Sequence, residues 1–243
     1  NQTAFRYTDI RNKNKILTKK SNKMKKVMVC LFACLMTLAA TECVNAQKVN
    51  FGVKAGLNLS TWSYDDASLR PGFHAGGFAT VQFNRMFAVQ PEVMYSMEGA
   101  AWKTESTTTI LGTEYYARNK YTATSHKLIV PVMLQISPIS MLTVEVGPQF
   151  GFNLGLQGHN KFETNVVGVA NSESDVEYDS EDYNTFEMGI AAGLKLNLTR
   201  NMAIGARYVY GISPIIDEVK VGNRVVSDAV HTSNIMVSLN FAF

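Results

Sequence analysis

Residues 235–243 read I-M-V-S-L-N-F-A-F, and no other stretch constrains the fold as tightly. Side chains of an extended strand point alternately to opposite faces. Ile235, Val237, Leu239, Phe241 and Phe243 therefore share one face, and Met236, Ser238, Asn240 and Ala242 share the other. A helix, repeating every 3.6 residues, would scatter both sets around its circumference. A strand with one continuous apolar face has to lay that face against something equally apolar.

The same two-residue period returns at 48–60, 72–83, 87–97, 123–136, 141–157, 184–198 and 202–212. Its clearest instance is 141–157. There Leu142, Val144, Val146, Pro148, Phe150, Phe152, Leu154 and Leu156 oppose Thr143, Glu145, Gly147, Gln149, Gly151, Asn153, Gly155 and Gln157. Short turns at 84–86, 137–140 (containing Pro138) and 199–201 alternate with long polar connections at 61–70, 98–122, 158–183 and 214–229. The ends of 98–122 are open to extension of the strands that flank it.

A strand crosses the hydrocarbon layer with about 9–11 tilted residues, which these segments supply. In a soluble barrel the apolar face would line the interior. Here that face is wide and continuous, while the opposite face carries Gly, Gln, Asn, Glu, Lys and Arg, as suits a narrow, filled, polar interior with lipid outside. Lipid offers no water to a free strand edge, so the sheet has to close. The expectation is an all-β, eight-stranded antiparallel up-and-down transmembrane β-barrel with both ends of the barrel domain on the periplasmic side. Phe51, Phe83, Phe87 and Phe241 fall near the short-turn end. Trp62, Tyr95, Phe186, Tyr208 and Tyr210 fall nearer the long-loop end, as two interfacial girdles would.

Met24-Lys25-Lys26, the apolar run 27–40 and the sequence Val44-Asn45-Ala46 have the n-region, h-region and cleavage site of a secretory signal peptide. The h-region is too short for a spanning helix, which needs about 20 apolar residues. Cleavage is expected after Ala46, giving export through the inner membrane and a domain of 47–243. Residues 1–23 are read as a non-native or mis-annotated N-terminal extension. Leu31-Phe32-Ala33-Cys34 loosely matches a lipoprotein box, a weaker reading because it leaves a short h-region and strands a second apolar stretch.

Nine of the 23 Lys and Arg lie in residues 1–46, against two of the 20 Asp and Glu. That leaves 14 basic and 18 acidic residues in 47–243, a net −4 rather than the +3 of the whole chain. The basic balance belongs to the leader and argues for no nucleic-acid partner. All three cysteines, Cys30, Cys34 and Cys43, lie there too. The domain itself has no thiol for a disulfide, a nucleophile or a metal site.

The leader ending V-N-A-Q, the strands F-G-V-K-A-G-L-N-L-S, V-G-P-Q-F-G-F-N-L-G and G-A-R-Y-V-Y-G, and the terminal S-L-N-F-A-F carry a family resemblance. The layout from Gln47 to Phe243 resembles the outer-membrane β-barrel domain of Bacteroidetes, the PorT-like group, and more distantly the OmpX/OmpA transmembrane barrel. The resemblance implies a bacterial outer-membrane location and a terminal strand, with Leu239, Phe241 and Phe243, that is read by the barrel-assembly machinery. It also implies lipid and lipopolysaccharide as surroundings and, on the PorT branch, a role in secretion. It brings no catalytic signature.

Parity places Lys54, Glu92, Lys127, Glu145, Glu187, Lys195 and Arg207 on the inward face. In a barrel of about eight strands the interior is just filled by side chains, so these residues are expected to form a salt-bridged plug. A conducting pore is the weaker reading, because open porins need about 16 strands.

His231-Thr232-Ser233-Asn234 is similar to the His and Ser of the outer-membrane lipid A deacylase barrel. His231 and Ser233 share a face, so a Ser–His pair is conceivable. The orienting carboxylate is missing, since Asp228, the one nearby in sequence, lies on the wrong side of the motif. A polar strand end at the membrane interface is the simpler account.

His74, His126 and His159 lack metal-site spacing and are read as interface or loop residues. Glu173, Asp175, Glu177, Asp179, Glu181 and Asp182 do not match a calcium loop and are read as a solvated loop, with cation gathering as the alternative. No dinucleotide or phosphate-loop motif occurs. The expectation is a binding or structural barrel, not an enzyme, with no cofactor or metal. Its external loops, 98–122 and 158–183 above all, would meet envelope partners. A lipid A hydrolase using His231 and Ser233, and a small-ligand transport barrel, are the alternatives.

Overall fold

The computed structural model describes residues 48–63, 67–110, 113–166, 169–178, 183–216, 219–221 and 224–243. The expected leader and cleavage site and the extension before them, like Asp179, Glu181 and Asp182, lie outside the described residues. No described helix is long and apolar enough to cross a membrane. Crossing falls to strands.

Eight long strands close into a ring. They are β1 (Lys48–Trp62), β2 (Arg70–Gln82), β3 (Phe87–Ile110), β4 (Thr113–Ile139), β5 (Leu142–Thr164), β7 (Phe186–Asn197), β8 (Met202–Gly211) and β11 (Thr232–Ala242). The order is β4-β3-β2-β1-β11-β8-β7-β5, and β4 pairs with β5 to complete the circuit. Every pairing is antiparallel. The terminal strand is the seam: β11 pairs with β1 from Gly52↔Ala242 to Trp62↔Thr232. A ninth strand, β6 (Ser172–Tyr178), lies on the far half of β5, beyond the point where β7 leaves it. A short hairpin of β9 (Val219–Val221) and β10 (Arg224–Ser227) forms part of the last long connection.

Outward and inward faces follow the sequence period. Leu57, Ile190, Leu194, Val237 and Leu239 are exposed on the outside, while Lys54, Asn58, Glu92, Glu145, Arg207 and Ser238 are buried inside. An apolar outer band around a polar core is what a bilayer selects. Among the aromatics, Phe51, Phe83, Phe87 and Phe241 face outward near the short turns, and Phe186, Tyr208 and Tyr210 face outward near the other end.

Trp62 breaks the girdle pattern. It is inward and only 6% exposed, packed with Ala100, Ala123, Leu156, Tyr183, Ile215 and Val230 as an apolar cap over the lumen. It lies on the even-numbered, inward face of β1 with Lys54, Asn58 and Ser60.

Leu156 is also inward, although unbroken alternation would put it outside. A bulge causes this. Lys127 pairs with Asn153 but His126 pairs with Gly155, so Leu154 is an extra residue on β5. One extra residue reverses the facing of everything after it. Leu154 stays exposed, Leu156 turns into the cap, and Gln157 turns out to solvent rather than into the lumen.

The connections 98–122 and 158–183 are largely strand. β3 and β4 stay paired in unbroken register from Met94↔Ile129 to Ile110↔Thr113. The turn between β4 and β5 tightens to Ser140 and Met141, with Pro138 still in β4.

Close approach requires glycine at several positions, Gly76 and Gly99 among them. At Gly76 a Cβ would collide with the Val93 carbonyl oxygen across the β2–β3 pair. At Gly99 φ is +157°, and a Cβ would meet the Ala123 carbonyl oxygen. Gly99 also exchanges hydrogen bonds with the Ser60 hydroxyl, where β3 leaves the barrel wall.

Candidate functional site

The lumen is filled in layers. Nearest the short turns, Arg207 on β8 donates to both oxygens of Glu92 on β3, at 2.8 and 3.0 Å, and to Glu145 on β5 at 2.7 Å and 2.9 Å. Lys54 on β1 donates to the same Glu92 at 3.1 Å and 3.3 Å. Gln90 donates to Glu92, and Gln135 donates to Gln90. Two cations and two carboxylates thus balance, with nearly every lone pair occupied. Low-dielectric burial of ions is tolerable only under those conditions.

Lys195 lies at the edge of this layer and donates to Gln90 at 3.3 Å. It lines an open cavity of about 250 Å³ at the short-turn mouth, with Asn50, Thr80, Asn197, Arg200 and Asn240.

Above this comes an apolar belt of Met94, Ile129, Met133, Ala191, Val209 and Met236. Unbranched methionines fill irregular space well.

A second polar layer follows. Lys127 bridges Glu98 at 3.2 Å and Glu187 at 2.9 Å. Glu98 also accepts from Ser96 and Asn234. Glu187 also accepts from Asn153 and Thr232. The Trp62 cap closes the lumen above. All seven charges assigned inward by parity therefore line the interior, six of them buried and Lys195 partly exposed. The structure joins them as two separate clusters, one holding Lys54, Glu92, Glu145 and Arg207, the other holding Lys127 and Glu187.

Glu98 is the residue that sequence reasoning missed, because it was assigned to a loop. The signal was present. Glu92, Met94, Ser96, Glu98 and Ala100 continue one even-numbered face.

His74 is not an interface or loop residue. It is buried in the lumen, its Nδ1 2.7 Å from the Asn58 Oδ1. His126 lies on the outer face, hydrogen-bonded to the Tyr95 hydroxyl and stacked on its ring.

His231 and Ser233 make no pair with each other among the described hydrogen bonds. His231 Nδ1 donates to the Gly211 carbonyl at 3.0 Å, and its ring stacks on Tyr210 at 6.2 Å. Ser233 accepts from the Tyr208 hydroxyl at 3.3 Å. Asp228 is exposed on the approach to β11. Leu239, Phe241 and Phe243 are exposed on the outer face, with Phe241 and Phe243 edge to face. No cluster of three metal-ligating side chains occurs among the described residues.

Beyond the lipid-facing band, β3, β4, β5 and β6 continue as a projecting sheet. Residues 103–109 are exposed on both faces. Glu105, Arg118, Glu163 and Lys161 form a ladder of ion pairs across three strands, at 2.7 Å, 3.8 Å and 2.7 Å. Glu173, Asp175 and Glu177 of the acidic run are part of this sheet, not a loose loop. Asp175 pairs in register with His159, and Glu173 with Lys161. His159 bonds Asp175 at 2.6 Å and Glu173 at 2.9 Å. The Asp175 hydrogen bond raises the His159 imidazole above its ordinary value, with the charges of Asp175 and Glu173 adding to it. Lys161 holds Glu163 below the ordinary carboxylate value.

Solved structures of similar architecture include Ail, the attachment invasion locus protein of Yersinia pestis, at 16% identity over 81% of this chain and 99% of that one, with a TM-score of 0.38. Neisserial surface protein A is 14% identical over 81% and 99%, with a TM-score of 0.40. CarO of Acinetobacter baumannii is 12% identical over 79% and 97%, with a TM-score of 0.40. No curated protein sequence matches the chain. The family model described as outer membrane protein beta-barrel domain matches residues 45–217, most of the chain and all strands from β1 to β8. The protein therefore belongs to the outer membrane protein beta-barrel domain family and resides in the bacterial outer membrane.

Proposed function

We propose that this barrel is a binding module whose working surface is the sheet projecting from the membrane. The observation that carries the reading is the unbroken β3–β4 pairing out to Ile110↔Thr113. At about 3.3 Å per residue, the 13 residues of β3 beyond Met97 supply roughly 40 Å of strand. A backbone held this far from the lipid by hydrogen bonds is rigid, and long external elements on a rigid scaffold are where recognition is carried.

The outer edge of β3 makes its last bridge at Ala101, to Ser68. From Lys103 to Thr109, K-T-E-S-T-T-T, no described strand pairs with that edge. A free strand edge with exposed Thr is a template for addition of an extended segment from another protein. The partner class we infer is an envelope or external protein that presents such a segment.

The lumen supports a filled scaffold rather than a conduit, because both charged layers and the Trp62 cap occupy its cross-section. Catalysis is not part of the proposal. His231 and Ser233 each bond to another group, which disfavours a lipid A hydrolase. Membership of the PorT-like branch, and with it a secretion-accessory role, rests on the sequence resemblance and belongs to the proposal.

The test is a photo-crosslinking residue at Thr107, compared with one at Val237 on the lipid face. Deletion of 103–119 should leave the boiling-dependent gel shift of a closed barrel and should lose, in a pull-down, the protein that Thr107 captures in the full chain. Capture of no protein from Thr107 in intact cells would overturn the reading.

A further inference from the structure

The two charged layers of the lumen do not balance alike. The lower one holds Lys54 and Arg207 against Glu92 and Glu145. The upper one holds Lys127 alone against Glu98 and Glu187. Each of these two carboxylates accepts from three donors, counting Lys127. Arg70, the next cation along, donates to the Glu98 backbone carbonyl rather than to a carboxylate. Lys195 lies on the far side of the methionine belt, at the open mouth. Among the described residues the upper layer is therefore one positive charge short, in surroundings where an unbalanced charge is costly.

A cavity of about 20 Å³ lies within this layer, lined by Glu98, Lys127, Gln149, Glu187, Thr232 and Asn234 among others. A water-sized species needs about 10–15 Å³ on this measure. Two of the lining side chains carry buried polar atoms without a partner, Gln149 Oε1 and Asn234 Oδ1. Gln149 is 7% exposed and Asn234 is 3% exposed. The Asn234 amide is oriented by its own bond, since its Nδ2 donates to Glu98 at 3.0 Å. Its oxygen is left as an acceptor. Both orphans are thus acceptors, beside a surplus negative charge.

We propose that this cavity is a binding site for one desolvated monovalent cation of about the size of Na⁺. The Gln149 and Asn234 amide oxygens supply neutral ligands, as carbonyl oxygens do when they replace an ion's hydration shell. Glu98 and Glu187 supply the compensating charge. A divalent ion would turn the deficit of one into an excess of one, so the charge count selects against Ca²⁺ and Mg²⁺. A water molecule could donate to both amide oxygens but would leave the charge uncompensated.

The test uses the folded domain in detergent, at constant ionic strength, in NaCl, KCl, CaCl₂ or choline chloride. The urea midpoint should be highest in NaCl, should saturate with Na⁺, and should be lowest in choline. Glu98→Gln removes the surplus charge, so its midpoint should become indifferent to the cation. Crystals of the unaltered protein soaked in Tl⁺ should show an anomalous peak between Gln149 and Asn234. Equal midpoints in NaCl and choline, or a soaked crystal with no peak in the cavity, would overturn the proposal and leave a buried water there. Cation dependence that persists in Glu98→Gln would also overturn it.

Discussion

Arg207 and Glu92 lie 115 residues apart in the chain and meet face to face in the lumen, with two parallel N–H···O bonds of 2.8 and 3.0 Å. The pair ties β8 to β3 across the barrel, strands that are not neighbours in the ring. Its geometry is the bidentate fork that guanidinium and carboxylate form best.

Loss of one partner from this layer should destabilise the barrel in a definite order. Glu92 accepts from Arg207, Lys54 and Gln90, while Glu145 accepts chiefly from Arg207. Glu92→Ala leaves two cations facing one carboxylate and should cost about 3–5 kcal/mol. Glu145→Ala leaves Arg207 still held by Glu92 and should cost less. Urea unfolding in lipid vesicles checks the order, and a costlier Glu145→Ala would contradict it.

The outer face should respond to charge by depth. Val237, midway along β11, faces lipid. Val237→Arg should cost about 2–4 kcal/mol and Phe241→Arg, near the interface, about 0–1 kcal/mol. Equal costs at the two positions would mean that β11 does not cross the bilayer as its register implies.

The projecting sheet should loosen with rising pH. His159 has a raised imidazole value because Asp175 and Glu173 favour its protonated form. A group raised on folding contributes stability that is full below its unfolded value, ordinarily 6.5, and is lost as pH rises through the folded value. The pairing of β5 with β6 should therefore be tighter at pH 6 than at pH 8. Hydrogen exchange of the amides of 172–178, corrected for intrinsic rates, reads this directly. His159→Gln should remove the difference.

The cap over the lumen should behave as a core. Trp62→Ala removes a large side chain from contact with Leu156, Tyr183 and Ile215, and such truncations cost about 3–5 kcal/mol. Were Trp62 an interfacial anchor instead, the loss would be small and would vary with the lipid.

The outcome at Leu156 shows where reading by parity stops. Alternation assigns faces correctly along β1, β7, β8 and β11 and along the lower half of β3, because each keeps its phase there. On β5 the phase breaks at Leu154, and nothing in the local composition marks the bulge. It falls between the last β7 pairing of β5, at Phe152, and the first β6 pairing, at Leu156. Glu173, Asp175 and Glu177 were hidden for another reason. Polar residues exposed on both faces of a projecting sheet have no hydrophobic period, so they read as loops.

The sequence by itself determined the strand period, which face is apolar, and that the sheet must close, since a lipid-exposed edge has no water to satisfy it. It also determined which charges turn inward, because parity within a strand is local. Only the tertiary structure decided which charge meets which, that the upper layer is short of one cation, and that Trp62 and Leu156 form a cap. These depend on the stagger between strands distant in sequence, and that stagger is fixed only when the ring closes.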